Sequence, residues 1–323
     1  MTGYALRRFV EMAIVLVLMS WAIYTLIGLM PGDPIDVMIN SDPNLTSADA
    51  ARLRALYGLD QPLWQRYLNW ATAALSGDLG YSRLQALPVL EVLPPYLWAS
   101  LKLMGLSFAF SVAMAIPLGV WAATRPYSKL DYAINLFCFA GISVPAFWLA
   151  LLMIICFSVW LGVLPAGGTP PPGSPGFWSE VRYLVLPVAT LTLAHVGSYT
   201  RFVRASMMEV LRQDFIRAAR AKGVPARRVI WVHALRNAMI PVVTVIALSF
   251  GTLFSGALIT ETIFAYPGMG KLIFDSILGN DYNLALTALL FATFLTLAAN
   301  FIADLVYAWL DPRISLTGPG GQP

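Results

Sequence analysis

The sequence predicts an all-α, polytopic membrane protein with six transmembrane helices. Three observations carry that expectation. The chain of 323 residues is 58% hydrophobic and only 12% charged, about half the roughly 25% Asp, Glu, Lys and Arg of an ordinary globular protein. Its mean hydropathy is +0.70. Six stretches are also apolar and long enough to cross a hydrocarbon core of about 30 Å. A soluble enzyme, a disordered chain, a collagen and a disulfide scaffold are excluded by the same figures.

The first span is residues 9–30, after a short N-terminus at 1–8 that carries Arg7 and Arg8. A basic start and an apolar run also mark a signal peptide. The run is too long for that, and no small-x-small cleavage site precedes Pro31-Gly32-Asp33-Pro34. A retained helix is expected. Residues 31–96 form a large polar loop rich in acids, Trp and Tyr. Within it, 47–57 reads as a short capped surface helix. Residues 62–75 read as an amphipathic helix with Trp64, Tyr67 and Trp70 suited to an interface.

The core, 97–310, holds the other spans at 97–123, 134–163, 183–202, 238–259 and 284–310. Residues 311–323 are left as a tail. The third span is too long to cross straight: its 30 residues would reach about 45 Å at 1.5 Å per residue. It also contains Gly141-Ile142-Ser143-Val144-Pro145. A kink or break near Pro145 is therefore expected, and Ser143 and Pro145 become candidate gate or pore residues. Residues 167–176 are a Pro/Gly loop. The only cysteines, Cys138 and Cys156, share this span at a separation that forbids pairing. Two cysteines do not make a metal site, and no metal is expected.

Lys and Arg set the orientation. With the N-terminus inside, the inner segments carry Arg7, Arg8, Arg125, Lys129, Arg313 and nine basic residues between Arg201 and Arg236, which is 14 of 21; the outer ones carry seven. Both termini are then cytoplasmic and the long acidic-aromatic loop lies outside. A basic block such as 201–236 could bind nucleic acid. In so apolar a chain it marks a cytoplasmic loop, so no nucleic-acid partner is expected, while anionic lipid is.

The chemistry of the chain concentrates in that block, within 204–236. Residues from Asp214 to Lys222 are rich in helix formers, Gly223 is placed as a helix-ending C′ residue, and Pro225 opens a second helix running to about His233. The result is a short basic elbow. Ala218 and Ala219, one turn before the glycine, would let another surface approach closely.

Arg217-Ala218-Ala219 followed by Gly223 resembles the EAA loop of permease subunits in bacterial ATP-binding-cassette (ABC) importers. The peptide/nickel branch is more similar still. Leu29-Met30-Pro31-Gly32-Asp33-Pro34, Tyr57-Gly58-Leu59-Asp60-Gln61-Pro62, Gly77-Asp78-Leu79-Gly80-Tyr81-Ser82 and Arg220-Ala221-Lys222-Gly223 carry that likeness. Glu261-Thr262-Ile263-Phe264 with Pro267-Gly268-Met269-Gly270, Asp281-Tyr282 and Leu310-Asp311-Pro312-Arg313 complete it. These motifs run in order along nearly the whole chain. Arg217 stands where the general motif has Glu, and His233-Ala234-Leu235-Arg236 replaces its usual ending; both resemble the peptide branch.

The resemblance implies the type I importer permease fold in a bacterial inner membrane. It also implies a homologous second permease, two cytoplasmic ABC ATPases that bind ATP and Mg²⁺, and an extracytoplasmic substrate-binding protein. The elbow would be the ATPase-coupling helix, with Asp214, Ala218, Ala219 and Gly223 as contact core and Arg217, Arg220 and Lys222 as rim charges. Short peptides are the implied cargo; nickel complexes, glutathione, opines and oligosaccharides are the alternatives within the branch.

No catalytic residue and no cofactor of its own is expected. Gly268-Met269-Gly270-Lys271 is a decoy for a phosphate loop, because position 265 is Ala and position 272 is Leu. Ionisable residues inside spans are candidates by default. Asp304, near the inner end of the sixth span, is expected to bridge to the basic elbow. Glu261, at the outer end of the fifth, is a candidate gate in a loop dipping back into the pore. His195 is expected to be a packing residue. An ion-driven secondary transporter would need paired intramembrane acids or broken repeats, and an intramembrane enzyme would need a catalytic pair. The sequence offers none of these.

Overall fold

A computed structural model describes residues 2–29, 52, 60–173 and 176–310. The expected helix at 47–57 and the tail at 311–323 lie outside the described residues. The described chain is helical: α1 (Thr2–Gly28), α2 (Leu63–Leu75), α3 (Val89–Thr124), α4 (Lys129–Ser143), α5 (Ala146–Met153), α6 (Phe177–Val210), α7 (Asp214–Ala221), α8 (Leu235–Ile263), α9 (Met269–Leu278) and α10 (Tyr282–Leu310). Among the described residues four helices are long and apolar enough to cross a membrane, within α1, α3, α6 and α10, and five if the bent α4–α5 pair is one span. α8, at 29 residues, coincides with the remaining expected span.

The break in the third span falls where proline chemistry places it. Pro145 has no N–H and pushes its predecessor out of the helical region. Val144 is accordingly extended at φ −89°, ψ 125°, and α4 and α5 meet at a 103° bend. α5 continues as a wider, π-helical stretch, Ile154–Trp160.

The centre is built on α6. Glycine lets helices approach closely where lipid offers no hydrophobic drive. A Cβ on Gly119 of α3 would lie 2.6 Å from Val203, and one on Gly197 of α6 would lie 2.5 Å from the Cys138 carbonyl of α4. His195 stacks on Tyr199 at 6.3 Å between ring centroids. Peripheral to this core, α1 packs on α10 through Ile23, Ile27, Ala285 and Leu286. The amphipathic α2 lies against α1, with Ser20 and Tyr67 hydroxyls 2.7 Å apart and Trp21 edge-on to Tyr67.

α3 starts at Val89, eight residues before the apolar run that marks its span, despite Pro94 and Pro95 inside it. Burial outweighs the two missing N–H groups: Val89, Val92 and Leu93 pack against Met269, Leu272, Ile273 and Leu284. Likewise no helix ends near His233. Ala226–Arg228 passes through a π-helical turn, Val229–Ala234, straight into α8.

Candidate coupling elbow and outer latch

The basic block folds into the expected elbow. α6 stops at Val210, α7 runs for eight residues, and Gly223 takes the left-handed conformation at φ +77°. The Val224 N–H then closes onto the Ala219 carbonyl at 3.2 Å, as a glycine-terminated helix requires. One side chain fastens the elbow. Ile216 is fully buried in a cluster with Val210, Val229, Ala234 and Ala238, together with Ala115, Val120 and Ala123 of α3.

Asp214, Arg217, Ala218, Arg220, Lys222 and Gly223 are exposed. Ala219 is not part of that surface: it is partly buried against the cluster under the elbow, because it follows Ile216 by three residues and shares its face. The open face instead carries Phe215, which is 39% exposed and one turn before Ala218. Sequence reasoning overlooked Phe215, and its i, i+3 relation to Ala218 was the available signal. Arg217 pairs with Asp214 along the helix, so the two charges partly cancel on that face.

Two charges expected around the elbow are engaged elsewhere. Arg204 binds Asp131 of α4 with two parallel bonds of 2.7 Å. Asp131 also accepts from the Tyr127 N–H at 2.8 Å and from Asn135 at 2.7 Å. This buried fork ties α4 to the inner end of α6, and nothing in the local sequence announced it. Asp304 does make an ion pair, but with Arg8 of α1 at 3.4 Å and not with the elbow. The reason is positional, since α10 packs on α1 while the elbow helix packs on the Val229–Ala234 turn.

The outer end is organised differently. Glu261 is fully buried and its carboxylate is occupied by donors. Ser100 of α3 donates to Oε1 at 2.5 Å, and the Gly270 and Lys271 N–H groups donate to Oε2 at 2.7 and 3.3 Å. Ser100 in turn accepts the Met269 N–H at 2.8 Å. The Gly268-Met269-Gly270-Lys271 decoy is thus an anion-binding helix start, and the anion it holds is the chain's own Glu261. The carboxylate faces no open passage, which removes it from the gate lining expected of it.

A second outer contact joins motifs about 200 residues apart. Asp281 caps α10 and accepts from Ser82 Oγ at 2.6 Å and the Leu84 N–H at 3.0 Å. Arg83 donates to the Gly279 carbonyl, and Asn283 to that of Tyr81 at 3.2 Å. The Pro/Gly loop closes the same face through a 2.7 Å bond from the Gly168 N–H to the Phe264 carbonyl.

Ser143 and Pro145 are both exposed at the α4–α5 bend.

Comparison with known proteins fits this architecture. The family model described as "Binding-protein-dependent transport system inner membrane component" matches residues 115–316. A second model, for the N-terminal part of such components, matches residues 1–86. The chain is 36% identical over 316 residues to the Oligopeptide transport system permease protein AppB of Bacillus subtilis (strain 168), covering 97% of this chain and 99% of that one. It is 36% identical over 313 residues to the Dipeptide transport system permease protein DppB of Escherichia coli (strain K12), covering 90% and 92%. Among solved structures, the MetNI methionine ABC transporter in inward-facing conformations aligns with a TM-score of 0.54 at 20% identity, over 69% of this chain and 97% of that chain. An amino acid ABC transporter aligns with a TM-score of 0.52 at 14% identity, over 68% and 94%. The fold is that of type I ABC importer permeases, and the chain belongs to the family of binding-protein-dependent transport system inner membrane components.

Proposed function

We propose that this chain is the permease subunit of an ATP-driven importer of short peptides, forming half of a pore with a homologous second permease. The observation that carries the peptide reading is the 36% identity, along nearly full length, to relatives named as oligopeptide and dipeptide permeases. Two cytoplasmic ATPases holding ATP and Mg²⁺ supply the energy, and an extracytoplasmic binding protein delivers the cargo. Both termini lie in the cytoplasm, on the side of the 14 inner Lys and Arg.

The elbow is the ATPase contact. Asp214, Phe215, Ala218 and Gly223 present its open face, with Arg217, Arg220 and Lys222 around it. Small and flat side chains suit insertion into a groove, while rim charges orient more than they hold. The bend at Ser143, Val144 and Pro145 is the flexible point of the third span, a place where a broken helix can change angle without breaking further backbone bonds.

The test is co-purification. The chain is tagged, expressed with its neighbouring genes, extracted in mild detergent and assayed for partners and vanadate-sensitive ATP hydrolysis. A second permease, ATPases and hydrolysis stimulated by a binding protein loaded with di- to oligopeptides are expected. Stimulation only by nickel complexes, glutathione, opines or oligosaccharides would replace the cargo. A chain that purifies alone and moves solute on an ion gradient would sink the proposal.

A further inference from the structure

The structure assigns Glu261 the part of a positioning residue for transport: its carboxylate latches the outer ends of α3, α8 and α9 into one body, so that displacement of the elbow reaches the outer face. This inference rests on the reading of the elbow as the ATPase contact.

α3 and the α8 line are clasped in two places. At the inner end, Ile216 of the elbow is fully buried in a cluster that also takes in Ala115, Val120 and Ala123 of α3 and Val229, Ala234 and Ala238 where the chain enters α8, and the elbow helix packs on the Val229–Ala234 turn. Displacement of the elbow therefore presses on the base of α8. α8 then runs without interruption from Leu235 to Ile263, and its 26 steps from Leu235 to Glu261 span about 39 Å. At the outer end Glu261 reaches α3 through Ser100 and α9 through Gly270 and Lys271.

The hydrogen bonds have a fixed direction. Met269 N–H donates to Ser100 Oγ, and the Ser100 O–H donates to Glu261. Every neighbour of the carboxylate is a donor, so only a pure acceptor satisfies them all. The fit is also tight in space: a Cβ on Gly268 would lie 2.2 Å from the Glu261 carboxyl, at a glycine whose φ of −100° any residue could adopt. Space, not backbone freedom, demands glycine there.

Beyond the latch lies the turn 264–268, whose Tyr266 and Pro267 wall an outer cavity of about 570 Å³ with Trp98, Lys102 and Glu180. With the latch closed, that wall travels with the tip of α8. Without it, the turn keeps only backbone bonds to α8, from the Phe264, Ala265 and Tyr266 N–H groups to the Thr260, Thr262 and Glu261 carbonyls, and motion of α8 no longer carries α9 and α3 with it.

The experiment uses the full importer complex in nanodiscs, with Glu261→Gln, Ser100→Ala and Gly268→Ala, and with Ser107→Ala as control. Ser107 is buried on the same helix, and its hydroxyl donates to the Leu103 carbonyl within α3. Gln keeps the shape and one acceptor but sets an amide NH2, itself a donor, against a donor. The readouts are the ratio of binding-protein-stimulated to basal ATP hydrolysis, at equal assembly, and hydrogen exchange at Met269, Gly270 and Lys271.

The three latch variants are expected to speed exchange at these amides and to lower the ratio about fivefold or more, the low end of measured coupling between sites. The control should leave both unchanged. Faster exchange with a wild-type ratio overturns the inference, as does wild-type exchange in Glu261→Gln. Should Glu261→Gln fail to assemble, Ser100→Ala decides by the same two outcomes. A wild-type complex with no stimulated hydrolysis would count against the importer reading itself, a result separable from the latch because exchange still reports it.

Discussion

The two ends of the molecule hold themselves together by opposite means. At the outer end buried polar groups do the work: Glu261 and Asp281 each sit behind several donors and join segments far apart in sequence. At the inner end the elbow is attached through apolar Ile216 and leaves most of its polar groups in solvent; the Asp131–Arg204 fork adds a largely buried ionic tie between α4 and α6. Hydrogen-bonded networks specify geometry because a displaced partner leaves a buried group unmet. An apolar anchor tolerates sliding. The contrast suits the proposed permease, in which the elbow docks and moves while the opposite face keeps its shape.

The comparison breaks first at the fork. Arg204→Ala leaves Asp131 buried without its cation, and about 3 kcal/mol of stability should be lost, the low end for an uncompensated buried charge. The measurement is the thermal unfolding midpoint in detergent. Combining it with Asp131→Asn should recover much of the loss, and equal melting of Arg204→Ala and parent would mean that the fork holds nothing. Ile216→Ala should cost about 2–4 kcal/mol, as for other large-to-small changes at filled core sites. Because the elbow then has no anchor, co-purifying ATPases should disappear even from protein that still folds. Retained partners would show that the elbow is held by its charges.

At the outer end, Asp281→Ala removes the acceptor of Ser82, Leu84 and the start of α10. A loss of about 2 kcal/mol is expected for the unmet donors and the missing cap, with Asp281→Asn milder; the Tm again decides. The smallest effect belongs to the Asp214–Arg217 pair, whose side chains are 86% and 74% exposed. Such pairs contribute little to folding. Arg217→Ala should melt like the parent, and any change should appear in the salt dependence of ATPase stimulation. A fall in Tm would place the pair inside the fold rather than on the docking face.

Much of this was legible in the residues. Apolar runs located four of the spans and the bent fifth, Pro145 located the bend, and Gly223 located the end of the elbow helix. Local steric rules suffice for these. The partners of charged groups were not legible. Asp304 was assigned to the elbow and lies beside Arg8, while Arg204 was counted with the basic block of the elbow and is paired with Asp131. Ala219 turned inward and Phe215 outward, because Ile216 and not the pair of alanines sets the rotation of the helix.

Composition and motif order by themselves determined the class of the protein, its membrane residence and its family, because bilayer crossing and helix termination act on contiguous residues. Only the tertiary structure decided that Glu261 caps α9, that Ser82 meets Asp281, and that α3 begins eight residues before its apolar run. Those contacts join positions 9 to 199 residues apart, where the free energy of burial and of satisfied donors is set by neighbours that linear spacing does not identify.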